Sequence, residues 1–489
     1  VTDDLFEQRL RRDLRRLADE LVDGPGHGRP PGRTKTVGGR RRFTTALPPT
    51  VRRAMVGLWL VATLCLVAAG VVAGRVLQSR TTPLPRVAPV SALADVPGPL
   101  AYFAGQGLYT AEPGTDPHRV ATTGNPGSAP QWSPDGDWLA YLGTGGHLHL
   151  VHGDGSDAHL ALASPVTAMT WSPVANLLAL VPSGGPDAGD LVLVSTGGGP
   201  AAGAAASAAP GAPTVVASAV TSFVWSSDGT RIAYSQGGAG SSPERIVVFD
   251  VVAGTRVVLP YRAPAGTGIQ LASWWPDGGG LLFWLDPGRS VTAEATGLPL
   301  ADLPLSATSA TVLAKTFVYL PWLAWSPGGN RLLVVEMSGS MPWQGSRLAI
   351  CRPARRSCQV LPQPAGTVTM DPAWSPSGHR IAFVRASVLA SSSPGLTLDT
   401  WYGTRRLWVS NPDGGRAQLV SDAGAGVADP QFSPSGRAVV YVTAGSIESA
   451  ALSGGRPTVI ASGLAGALDT AGPDGYGKLP WGGTAAWGS

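Results

Sequence analysis

The sequence predicts an all-β fold built from a repeated four-stranded unit and carried behind an N-terminal membrane anchor. Three observations predict it. Of 489 residues, 65 are Gly and 44 are Pro, a load that a mostly helical chain does not tolerate. The apolar fraction of 44% at the same time excludes a disordered chain. A twelve-residue pattern returns seven times along the C-terminal four fifths, and one run of about twenty apolar residues lies near the N-terminus.

The elements follow in chain order. Residues 1–53 form a basic tail. Residues 1–54 hold 13 Arg or Lys against 7 Asp or Glu, and the rest of the chain is near neutral. The overall net charge of +4 and pI near 9.1 therefore belong to the tail. A nucleic-acid-binding domain carries its basic patch on the folded part, so no nucleic-acid partner is expected. Within the tail, Phe6, Leu10, Leu14, Leu17 and Leu21 recur at steps of three and four and predict an amphipathic helix over 3–23. Asp3 and Asp4 suit its N-terminus, and Gly24-Pro25 ends it. One apolar stripe cannot form a core alone. It awaits a cytoplasmic protein, a second copy or the membrane surface, unless it is merely a solvated tail. Residues 25–50 read as a tether.

The run AMVGLWLVATLCLVAAGVVAG predicts a transmembrane helix over 54–75, the length that crosses a bilayer core. Arg40, Arg41, Arg42, Arg52 and Arg53 precede it, and only Arg75 and Arg80 follow closely. Positive flanks stay inside, so the expected topology is a single-pass cell-membrane protein. Its N-terminus would be cytoplasmic, its C-terminal part external, and the lipid bilayer its first partner. A signal peptide would not carry so long a tail before its apolar stretch. Residues 76–98 read as a linker. The chain has only three lysines (Lys35, Lys315, Lys478) among 36 basic residues, a bias expected of a GC-rich bacterial genome.

The repeat begins past residue 98. It reads QWSPDGDWLAYL, TWSPVANLLALV, VWSSDGTRIAYS, SWWPDGGGLLFW, AWSPGGNRLLVV, AWSPSGHRIAFV and QFSPSGRAVVYV. Its aromatic is Trp132, Trp171, Trp225, Trp274, Trp325, Trp374 and Phe432 in turn, at a mean spacing of 50 residues. A strand ends at the aromatic. Pro, Asp or Ser, and Gly then supply turn chemistry, and an apolar alternation such as RIAYS makes a buried strand. Third and fourth strands follow, as in RIVVFD (245–250) or RLWVS. Four antiparallel strands per unit is one propeller blade, with the aromatics packing between blades.

These motifs resemble the WD40-like W-S-P-D-G repeats of TolB-type β-propellers over residues 99–489. The resemblance implies a fold and no particular activity. The second copy departs from it with Val174-Ala175-Asn176 in the turn, and the fourth with Trp275 in place of Ser. Residues 99–124 supply three strands of a blade that lacks its first. The C-terminal TAAWGS, with Trp487, would provide it, which makes eight blades, or seven if that segment packs outside.

Candidate sites are few. The insertion at 389–403 carries Leu396, Leu398, Trp401 and Tyr402 on an otherwise polar loop. It is a candidate binding loop, unless those side chains cap the propeller. The segment 197–213 is low-complexity. Cys351 and Cys358 sit across a predicted hairpin and suit a disulfide, with free thiols as the alternative. His147, His149, His152 and His159 cluster without an accompanying Cys or Glu, so no metal and no cofactor is expected. No G-x-S-x-G elbow and no α/β domain occur, and too few acids lie outside turns to nominate a carboxylate pair. The expectation is thus a non-enzymatic module that binds or senses an unidentified protein or cell-envelope ligand outside the cell. One alternative is an anti-sigma-like transmembrane regulator acting through residues 3–23, although the H-x-x-x-C-x-x-C motif of that type is missing. A second is a propeller hydrolase or lyase.

Overall fold

The computed structural model describes residues 95–464 and 485–487, except 97, 105–106, 112–116, 123–128, 157–158, 185–186, 197–212, 238–242, 288–296, 340, 390–397, 421–425 and 444. The described residues all belong to one compact unit, Thr82–Ser489.

The described strands pair into six antiparallel sheets of four, seven, four, eight, four and four strands, in chain order. Each repeat builds its hairpin in the same way. The strand that ends at the aromatic turns back through a buried serine whose backbone N–H bonds the carbonyl five residues on, as Ser226 does to Arg231 at 2.8 Å. The same serine's hydroxyl then accepts the N–H of that residue, 2.9 Å away at Arg231. Ser133, Ser226, Ser326, Ser375 and Ser433 repeat this double bond, which explains a small hydroxyl residue at a buried position. The two departing turns still close: Ser172 N bonds Leu177 O at 2.8 Å and Trp275 N bonds Gly280 O at 2.9 Å. In the fourth copy the Trp275 ring lies over Gly280, where a Cβ would stand 2.5 Å from it, so the bulky replacement needs the glycine opposite.

Burial explains the strand types. The second strand of each unit is covered on both faces, as in Trp138–Leu142 and Ile381–Ser387. The fourth strands leave Val215, Val257, Val312, Leu419 and Val459 exposed. Cores form between successive sheets. Ile246, Leu259 and Tyr261 of the third meet Ile269, Leu281 and Phe283 of the fourth. Phe103 and Leu108 of the first meet Leu139, Tyr141 and Val151 of the second. Leu100 and Tyr102 of the first also meet Val440, Val442 and Ile460 of the sixth. The C-terminal strand Ala485–Trp487 pairs antiparallel with Leu100–Ala104, with Trp487 opposite Leu100 and Ala485 opposite Tyr102.

Two expectations need correction. A closed propeller of eight, or seven, separate blades is not what the pairing defines. The strand His159–Trp171 is 13 residues long and pairs with His147–His152 at one end and Leu177–Pro182 at the other, which fuses two expected units into the seven-stranded sheet. The eight-stranded sheet arises where Thr316 pairs with Glu336 and links two more units. What stands is an all-β architecture of several antiparallel sheets.

The membrane reading is corrected as well. Among the described residues no helix is long and apolar enough to cross a membrane. The expected span 54–75, the helix over 3–23 and most of the linker 76–98 lie outside them. Hydropathy alone had suggested the span, and no element of the described fold supports it. The single-pass topology, the bilayer partner, the envelope ligand and the external location all depended on that span, and nothing in the described residues supports them.

Candidate functional site

A polar cleft opens at the seam between the third and fourth sheets, with a volume of about 470 Å³. Strand Val220–Trp225 brings Thr221 and Ser222, and Glu244 stands immediately before strand Arg245–Asp250. Strand Thr267–Trp274 brings Gly268 to Leu271, and strand Gly280–Pro287 brings Trp284 and Asp286. Val318 and Leu320 complete the wall.

Two carboxylates define its chemistry. Glu244 is 1% exposed and Asp286 is 6% exposed, and both reach the same cleft. The register explains their proximity. Gly268 pairs with Asp286, and the next residue, Ile269, donates its backbone N–H to Glu244 Oε2. Thr221 Oγ1 donates to Glu244 Oε1 at 2.6 Å. With that hydrogen spent on Glu244, the Ser235 hydroxyl 2.6 Å away must donate to Thr221. Ser222 accepts the N–H of Leu271 at 2.9 Å and lies 3.1 Å from the carbonyl of Ile269. Trp284, buried, is fixed by its indole bond to Thr316 Oγ1 at 2.7 Å. The glutamate is thereby oriented from two sides, and among the described residues no basic side chain lines the cleft. Such a cleft favours substrates that donate hydrogen bonds or carry positive charge, and it provides carboxylates for proton transfer.

The residues nominated from sequence lie elsewhere. Trp401 and Tyr402 are 0% and 7% exposed, inside the core with Trp343, Phe383 and Val427 rather than on a free loop. They end a short helix, Leu398–Tyr402, and Trp401 Nε1 donates to Ser387 O at 2.6 Å. Leu396 lies outside the described residues. The seven aromatics pack in the hydrophobic clusters between consecutive repeats. Cys351 and Cys358 occupy paired positions of one hairpin and are joined by a disulfide. His149 stacks on Tyr141, and burial first, then the neighbouring His147, holds its pKa below the usual value. No group of three metal-ligating side chains occurs among the described residues.

Sequence reading alone nominates neither Glu244 nor Asp286. They stand 42 positions apart with no motif around either, and only the pairing of Gly268 with Asp286 and the bond from Ile269 to Glu244 bring them together.

No family model and no curated protein matches the chain. Among solved structures it is similar to dipeptidyl peptidase 4 of Porphyromonas gingivalis, at 9% identity over 79% of this chain and 61% of that one, with a TM-score of 0.49. An oligogalacturonate lyase in complex with manganese is 14% identical over 76% of this chain and 99% of that one, with a TM-score of 0.41. TolB from Acinetobacter baumannii is 17% identical over 69% and 67%, with a TM-score of 0.32. The TolB-type assignment expected from the repeats is corrected on these values: the chain has a β-rich fold that only distantly resembles TolB and other propeller-type folds.

Proposed function

We propose that the protein is an acid–base enzyme of the hydrolase or lyase class, acting on a small substrate that presents hydroxyl or ammonium groups to the cleft of Glu244 and Asp286. One observation carries the proposal: two buried carboxylates reach one cleft of about 470 Å³ that, among the described residues, no basic side chain lines. Glu244, held on both oxygens by Thr221 and Ile269, has the fixed position needed to orient a substrate donor. Asp286, across the pair of strands, is the group assigned to proton transfer. A lyase and a peptidase occur among the structures the chain resembles, but at TM-scores below 0.5 that likeness adds no weight, and the proposal stands on the cleft.

The test is turnover by the purified chain of chromogenic glycosides, aminoacyl arylamides and uronate oligosaccharides. At least one class should be turned over, with Glu244→Gln and Asp286→Asn each lowering kcat/KM by about 100-fold or more while the melting temperature holds. Failure to turn over any class, or turnover that both substitutions leave intact, would overturn the proposal.

A further inference from the structure

Asp371 and Asp429 occupy the same place in consecutive repeats, three residues before Trp374 and Phe432, and each is followed by a proline. The five other repeats carry Ala129, Ala168, Ser222, Leu271 and Trp322 there. Both aspartates have left-handed backbone, with φ of 49° and 45°, a region that residues other than glycine seldom adopt. Both fall where the ladder to the next strand breaks register, between Met370 and Ala373 and between Ala428 and Gln431. Neither Pro372 nor Pro430 has an N–H to restore it. At these two points the sheets are held by side chains instead. Asp371 Oδ1 accepts the Trp322 indole N–H, and Asp371 Oδ2 accepts the Asp429 backbone N–H at 3.4 Å. One carboxylate thus joins three consecutive units.

We propose that Asp371 and Asp429 form a proton-dependent latch across the seam between the fifth and sixth sheets, firm while one of the two carboxyls is protonated and slack once both are ionised. Among the described residues, the charged group that faces Asp429 is Asp371, from strand Thr367–Trp374. Arg405, just before strand Arg406–Ser410, faces Asp371 in turn and also Tyr402 of the short helix beside it. Gln431, on the same strand as Asp429, hydrogen-bonds its carboxylate. Arg405 is fully buried, donates to the Gly426 carbonyl at 3.3 Å and lies near Asp371. With both acids ionised, two negative charges face each other across the seam, and they sit at the two points where the ladders break register.

The protein packed around Asp429, and second the Asp371 carboxylate, push its carboxyl up to about 7. A raised acid binds its proton more tightly in the folded state than in the unfolded chain. Its contribution is therefore complete below the ordinary value of 3.8 and is lost as pH rises to about 7.

Urea denaturation of the full chain between pH 5 and 8 tests the latch. The wild type should lose up to about tenfold in its folding equilibrium per pH unit to pH 7 through this proton. Asp429→Asn should remove that slope, whatever its effect on absolute stability. Should the substituted protein not fold, hydrogen exchange on the wild type serves instead. Amides 427–432 should lose protection relative to 438–442 between pH 5.5 and 7.5, after correction for intrinsic exchange. Equal pH slopes in wild type and Asp429→Asn, or protection at 427–432 that ignores pH, would overturn the proposal.

Discussion

The indole Nε1 of Trp374 donates a hydrogen bond to the carbonyl oxygen of Ala324, 2.8 Å away and 50 residues earlier in the chain. Ala324 directly precedes Trp325, the aromatic of the previous repeat. The same relation holds from Trp171 to Gln131, Trp225 to Thr170 and Trp274 to Val224, at 3.0–3.2 Å. Trp325 reaches the residue before Trp274 through the Ser273 hydroxyl, at 3.1 Å. The aromatic of each repeat is therefore a fastener between consecutive units as well as a packing residue. A half-buried carbonyl beside the preceding aromatic thereby accepts an indole N–H from the next unit.

That bond gives a graded prediction. Trp374→Phe removes the donor and weakens the stacking of Arg331, whose guanidinium carbon lies 4.7 Å from the ring centroid. It should cost about 1–2 kcal/mol. Trp132→Phe should cost less, because Trp132 Nε1 has no hydrogen-bond partner among the described residues. Urea denaturation midpoints of the two variants measure the difference, and equal costs would refute the fastening role.

Asp302, 1% exposed, accepts the Trp275 indole N–H at 2.7 Å. Burial raises its carboxyl to about 6, opposed by the Trp275 bond and by the charge of Arg356. Its folded-state pKa is raised, so its contribution to stability is complete below 3.8 and is lost as pH climbs to about 6. The fluorescence difference between wild type and Trp275→Phe should titrate with a midpoint near pH 6 and vanish in Asp302→Asn. A flat difference from pH 4 to 8 would contradict the assignment.

Removal of residues 484–489 should strip the strand that covers Leu100, Ala101 and Tyr102, residues 1%, 0% and 0% exposed. Loss of its ladder bonds should cost about 2–3 kcal/mol. The bared edge should also promote association. A lower melting temperature with concentration-dependent light scattering is the expected outcome. A truncated protein that melts like the parent would show the strand to be dispensable.

The chain's local grammar is legible without a structure. The hairpin across each aromatic, the facing positions of Cys351 and Cys358 and the partner of the C-terminal strand follow from neighbours in sequence or from a strand that lacks a mate. Turn chemistry and alternation act over a few residues, so a short pattern encodes them. The Asp-Pro pair before two successive aromatics is also visible, and it marks where Asp371 and Asp429 fall.

Tertiary structure decided the rest. Trp401 and Tyr402 look like exposed anchors in a polar loop. They are core because Trp343 and Phe383 stand over them, and sequence carries no record of a covering wall. The fusion of units into larger sheets depends on how far the strand His159–Trp171 continues, which a repeat count does not specify. Glu244 and Asp286 become a pair only where Ile269 bonds one and Gly268 aligns the other. Charge that matters to chemistry is set by distance across a seam, and only the packing of one sheet on the next fixes that distance.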